Sequence, residues 1–160
     1  MDSLVATRVL FGGEAPAEVA ALLEQAMQAH ADGSRAEDLL WQAQRQSPGA
    51  LPVYFSLYKY YFYKGDLEQA ELAARMALCA AARLAGFDAD WQRLAVEVAD
   101  WADHAAPAHF YMFSLKALAF IRLRRGDTVE AQELLAKLAE LDPQDRVGAS
   151  VIRSLCVEAV

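Results

Sequence analysis

Seven aromatic residues crowd into ten positions of this sequence: Tyr54, Phe55, Tyr58, Tyr60, Tyr61, Phe62 and Tyr63, with Lys59 among them. Rings at such density serve packing or recognition. A helix buries one stripe of side chains spaced three and four apart, and Tyr54, Leu57, Tyr58 and Tyr61 form such a stripe. Phe55, Lys59, Phe62 and Tyr63 fall on another face. Downstream, Lys116, Phe120, Leu123 and Arg124 repeat the mixture of rings and cations, and Lys64, Arg122 and Arg125 lie close by. Aromatic rings and arginine carry much of the binding energy at protein interfaces. A basic, aromatic surface suits an acidic, hydrophobic peptide or helix. The candidate partner-binding residues are therefore Phe55, Lys59, Phe62, Tyr63, Lys116, Phe120 and Arg124.

Covalent chemistry has less support. No GxSxG, HExxH, P-loop or GxGxxG motif occurs. Asp100, Asp103, His104 and His109 are near one another in sequence and His30 stands apart, but their spacing matches no strong metal motif. Cys79 and Cys156 form no CxxC pair and read as free thiols of a reducing compartment. Cys79, beside several Ala residues, is expected to be buried, and Cys156 to be partly exposed. No nucleophile has a base beside it. The expectation is a protein without catalytic, metal or cofactor sites.

The elements that must position the rings are helices. The chain has 160 residues, a length suited to one domain, with 33 Ala, 8 Gly and 5 Pro, a balance that favours helix. A net charge of −7 argues against general nucleic-acid binding. The opening residues begin with an acid and are broken by Arg8, unlike a signal peptide. The apolar runs fall far short of the ~20 residues a membrane helix needs. A cytoplasmic protein is expected.

Three segments share one layout. Residues 51–84 give an aromatic helix, then Gly65-Asp66, then a helix carrying Ala70, Ala74 and Ala77. Residues 112–145 give Leu115, Leu118 and Ala119, then Gly126-Asp127, then Ala131, Leu135 and Leu138, closing on Leu141-Asp142-Pro143. A weaker copy at 17–50 has Leu23 and Met27, then Asp32-Gly33, then Ala36, Leu40 and Ala43, closing on Pro48. Gly ends a helix without steric cost, Asp caps the next one, and small Ala residues let antiparallel helices approach.

This 34-residue helix-turn-helix pattern resembles the tetratricopeptide repeat over about 100 residues. The resemblance implies an all-α fold in which antiparallel pairs stack as a short right-handed α-solenoid. It also implies a single domain, 1–160, with repeats at about 17–50, 51–84 and 112–145. In that family the first helices line a concave groove, which is where the candidate residues would lie. Copy one would contribute Glu18, Ala21, Gln25 and Gln28. The pattern departs at Tyr58, where the family prefers a small residue, and at Ala82, which replaces the closing Pro and lets that helix run to about Ala85. Residues 85–111 form an insertion, expected to be partly helical from Asp90 to about Asp103 and packed through Trp91 and Trp101. It either plugs the groove, by covering Phe55 and Phe62, or extends it as part of the binding surface. Residues 146–158 read as a capping helix and residues 3–11 as a short apolar lead-in, with Gly12-Gly13 as a loop.

The implied function is a non-enzymatic adapter holding a peptide or helix of another protein. The carboxylate clamp by which some members grip chaperone tails uses paired Lys and Asn, and this chain has no Asn. The size and three-repeat layout are also similar to chaperones of type III secretion translocators, which run their repeats without an insertion. A fainter likeness, through Val53–Lys59 and Asp145–Ile152, is to small repeat proteins encoded among bacterial nitrogen-fixation genes. That likeness implies an accessory role in enzyme maturation. A homodimer formed through the aromatic surface is a further alternative.

Overall fold

In a computed structural model, three aspartates start three helices. Asp32, Asp66 and Asp127 accept backbone N–H groups from Arg35, Gln69 and Glu130 at 3.3, 3.2 and 3.0 Å. Each satisfies a donor that the first helical turn leaves open. The glycines ahead of two of them, Gly65 and Gly126, have φ of 85° and 89°, a left-handed conformation that a side chain would strain. The structure describes residues 15–29 and 31–159. Residues 3–11, Gly12-Gly13 and His30 therefore lie outside the described residues.

Among the described residues there are seven helices and no strands. They are α1 (Ala17–Gln28), α2 (Gly33–Gln46), α3 (Leu51–Lys64), α4 (Leu67–Ala85), α5 (Pro107–Arg124), α6 (Thr128–Leu141) and α7 (Ala149–Ala159). Consecutive helices pack against each other from α1 to α7, and the first helices of the pairs also touch in order, α1 on α3 and α3 on α5. The fold is all-α: antiparallel helix-turn-helix units stacked as a short solenoid and capped by α7. Ala36, Ala70 and Ala131, at the close approach within each pair, are buried. No helix among the described residues is long and apolar enough to cross a membrane.

The stack is not interrupted by the insertion, because α4 and α5 pack directly against each other. The partly helical stretch expected from Asp90 to about Asp103 contains no α-helix. Two 3-10 turns, Trp91–Arg93 and Val96–Val98, stand in its place. The reason is local. Asp88, Asp90, Asp100 and Asp103 each accept the N–H two residues ahead, at Asp90, Gln92, Ala102 and Ala105, and such turns compete with helix. Helix α5 begins at Pro107 rather than at 112, since proline fits the first helical position. The intervening segment is thus 86–106.

That segment is anchored along its length. Phe87 packs between Trp101 and Tyr111, with ring centroids 5.3 and 5.1 Å away. Tyr111 donates to the Ala89 carbonyl at 2.6 Å, and Lys137 to that of Leu94 at 2.7 Å. Trp101 is buried, whereas Trp91 is half-buried.

The two cysteines exchange the environments expected for them. Cys79 is exposed and Cys156 is buried. Cys79 lies one turn from Arg75 and one from Arg83, on the solvent stripe of α4. Cys156 lies one turn beyond Ile152, on the stripe that α7 buries.

Candidate functional site: an aromatic and cationic cleft

Helix α3 is aromatic on more faces than a core can absorb, so its rings divide three ways. Tyr54, Leu57, Tyr58 and Tyr61 are buried. Tyr60 and Tyr61 serve the first pair of helices. Tyr60 donates to the Gly33 carbonyl at 2.8 Å, and the Trp41 indole N–H donates to the Tyr61 hydroxyl at 2.7 Å. Phe55, Phe62 and Tyr63 remain. Phe55 and Phe62 are half-buried, and Tyr63 is 77% exposed.

These rings meet their counterparts on α5. Phe55 lies 5.9 Å from Phe113 and Phe62 lies 5.1 Å from Phe120, centroid to centroid. The result is two rungs of paired phenylalanines. A cleft of about 400 Å³ runs along them, bordered also by Tyr58, Lys59, Tyr63, Lys116, Ala117, Ile121 and, from α7, Ile152. Three cations sit on ring faces. Lys59 lies 5.6 Å from the Phe55 centroid and Lys116 4.5 Å from Phe113, while Arg124 lies 5.8 and 5.9 Å from Phe62 and Phe120. Such contacts hold a cation by the negative face of the ring and fix where its charge points.

Of the candidate residues, Phe55, Lys59, Phe62, Tyr63, Lys116 and Phe120 border one cleft, and Arg124 stacks over its second rung. Leu123 is half-buried outside the lining. Glu18 and Gln25 of α1 border a separate hollow with Leu22 and Gln46. Three of the cations grouped with the groove are directed elsewhere. Lys64 lies over Tyr60 at 5.5 Å and 4.0 Å from Glu37. Arg122 pairs with Glu71 at 2.8 Å, with Glu130 at 3.1 Å and with Asp127, and Arg125 meets Glu71 at 2.9 Å.

The insertion does not plug the cleft. Phe55 and Phe62 pack on α5, and no residue of 86–106 is among those bordering it. The capping segment takes that place at one edge, where Lys116 donates to the Val147 carbonyl at 2.7 Å. Phe113, absent from the sequence-derived set, completes the first rung. Its signal was present, since Phe113, Lys116 and Phe120 echo Phe55, Lys59 and Phe62.

The electrostatics of the cleft are one-sided. Among the described residues that border it there is no Asp or Glu. Burial lowers the pKa of Lys116, and Asp145 opposes that shift in part. At the floor, burial raises the pKa of Tyr58, with Ser114 opposing. Both of these side chains are buried.

The histidines form no comparable centre. The rings of His104 and His109 are 4.9 Å apart. His109 is buried, and burial together with His104 holds its pKa below the ordinary value, against the pull of Asp142 and Asp103. Among the described residues, no group of three or more His, Cys, Asp or Glu side chains is arranged to hold a metal ion.

No family model matches the chain, and no solved structure matches it. A curated relative does. An uncharacterized 19.8 kDa protein in the nifW 5′ region of Azotobacter chroococcum mcd 1 is 32% identical over 136 residues, spanning 83% of this chain and 75% of the relative. The chain belongs to the same family as that protein. The matched length is greater than any pair of helices could supply, so the relationship covers most of the stack and not one repeat.

Proposed function

We propose that the protein is a non-enzymatic interaction module of the tetratricopeptide type, acting in the bacterial cytoplasm as an accessory factor of nitrogen fixation. It holds a segment of a partner protein in the cleft between α3, α5 and α7. The observation that carries this reading is the cleft itself: two phenylalanine rungs, three cations seated on their faces, and no carboxylate among the described residues of the lining. Exposed rings of this kind, beside oriented cations, are the usual anchors of a protein interface. The position of the relative in the nifW 5′ region supports the nitrogen-fixation role over a secretion chaperone.

The test is affinity capture from cells grown under nitrogen-fixing conditions, using the native protein and a Tyr63→Ala/Phe62→Ala form. Tyr63 is exposed and Phe62 half-buried, and a circular dichroism melt verifies that the variant folds. A partner kept by the native protein and lost by the variant supports the reading. A partner held equally by both removes the cleft as its site.

A further inference from the structure

We infer that the occupant of the cleft is an acidic amphipathic helix of a partner protein, with large apolar side chains seven positions apart and a carboxylate midway between them. This rests on the interaction-module reading and gives the partner its chemistry.

The argument is one of spacing. Phe55 and Phe62 are seven residues apart on α3, and Phe113 and Phe120 are seven apart on α5. At 1.5 Å per residue, the two rungs are therefore about 10.5 Å apart along the helices. Between the rungs each helix contributes one lysine, Lys59 from α3 and Lys116 from α5, and α5 also contributes the small Ala117. The order along the cleft is thus ring pair, lysine pair, ring pair, with Arg124 over the far rung. A helix lying along the cleft offers the matching order. Its positions i and i+7 share a face and are also about 10.5 Å apart, with i+3 and i+4 between them on that face.

The charges point the same way. The ammonium of Lys116 donates to the Val147 carbonyl, and an ammonium has three donors, so others remain for a carboxylate. Its depressed pKa marks a cation whose burial is only partly compensated. A carboxylate at i+3 or i+4 would supply the counter-charge. The chain as a whole carries −7, so an acidic ligand is repelled by the molecule at large and attracted at this cleft. That contrast favours one binding register. The same −7 on a second copy disfavours self-association as the source of the occupant.

The probe is an Ala-rich, end-blocked helical peptide with Leu at i and i+7 and Glu at i+3 and i+4, titrated against the full chain by fluorescence anisotropy. Saturable binding is expected, about tenfold weaker when both Glu are replaced by Gln. With Lys59→Glu protein, a Lys-for-Glu peptide should bind better than the Glu peptide. Lys59 is half-buried at the rim, and circular dichroism melts verify that this variant folds. Equal binding of the Glu and Gln peptides, indifference to Leu→Ala at i or i+7, or no binding of the Glu peptide would each overturn the inference. So would a dimer of the chain alone, seen in sedimentation and abolished by Lys59→Glu.

Cellular capture separates this inference from its premise. A partner lost on Phe62→Ala but retained on Lys59→Glu leaves the module standing and sinks the acidic helix. A partner retained on both sinks the module at this cleft.

Discussion

Arg122 and Arg124 are two residues apart on α5, and they live in opposite electrostatic worlds. Arg122 is 20% exposed and held by Glu71, Asp127 and Glu130. Arg75 joins the same network, 3.0 Å from Glu71 and 2.8 Å from Glu130, and Arg125 adds a third guanidinium on Glu71. Arg124 lies instead over Phe62 and Phe120, beside a cleft that no acid among the described residues borders. One face of α5 has its positive charge answered from within the fold, tying α4 to α5 and α6. The other presents its charge on aromatic rings. The difference teaches that the cations of this sequence cannot be read as one basic patch. Arg75, Arg122 and Arg125 are mortar, whereas Lys59, Lys116 and Arg124 lie over rings of the cleft.

The largest expected effect breaks the first face. Replacing Glu71 by Leu leaves Arg75, Arg122 and Arg125 converging without their shared acid. Removing one member of this half-buried network, which solvent partly screens, should cost about 2 kcal/mol, to be read from urea unfolding, while affinity for the acidic peptide should stay the same. Arrays of this kind are held against acid. Burial alone would raise the pKa of Glu71, but hydrogen bonds from Arg122 and Arg75 more than offset it and leave the value lowered. Stability from Glu71 is thus present above its unfolded pKa and is lost as pH falls through the lower folded value. In Glu71→Gln that part of the acid sensitivity should vanish from the stability curve.

The second face breaks at its rungs. Phe62→Ala removes half of one rung and should cost about 2 kcal/mol of partner affinity, the scale of an interface hot spot. Titration of the captured partner or the probe peptide checks this. Lys59→Gln should cost about 1 kcal/mol in the same assay. Added salt should erode the affinity much more than the stability, because screening acts on exposed charges first.

The smallest effect sharpens a third environment. His109 is buried with its folded pKa depressed, so the unfolded chain takes up a proton that the folded chain resists. Stability should therefore fall as pH drops below about 6.5, the ordinary histidine value. The slope of melting temperature between neutral and mildly acid pH should flatten in His109→Gln.

Much of this architecture was legible in the residues. Gly65-Asp66 and Gly126-Asp127 marked two turns because their chemistry is local, a left-handed residue followed by a cap. The extent of α4 to Ala85 followed from the lack of a proline at Ala82. What failed involved competition or phase. The acids of 88–103 looked helical by composition, yet their side chains captured nearby backbone donors first. The start of α5 is set by the first-turn preference of Pro107 and not by the repeat length. The cysteines were placed by their neighbours in sequence, when the phase of each helix decides. In the cleft, Phe55 and Phe62 were identified from the face they occupy. Their partner Phe113 was missed because rung geometry depends on how α3 and α5 sit side by side, which no single helix encodes. Arg122 was misplaced for the same reason, since Glu71 is 51 residues away in sequence.

The segment between α4 and α5 leaves the stack continuous in space although the chain makes a detour there. Within it, Val96 and Val98 are each 49% exposed. A cut at that bend divides the polypeptide into two fragments that still meet through the α4–α5 contact and the Glu71–Arg122 pair. Neither fragment alone holds both sides of the cleft, because Phe55 and Phe62 belong to one and Phe113 and Phe120 to the other. The molecule therefore comes with a natural seam for a complementation reporter, in which recovery of peptide binding signals that two separately expressed halves have found each other.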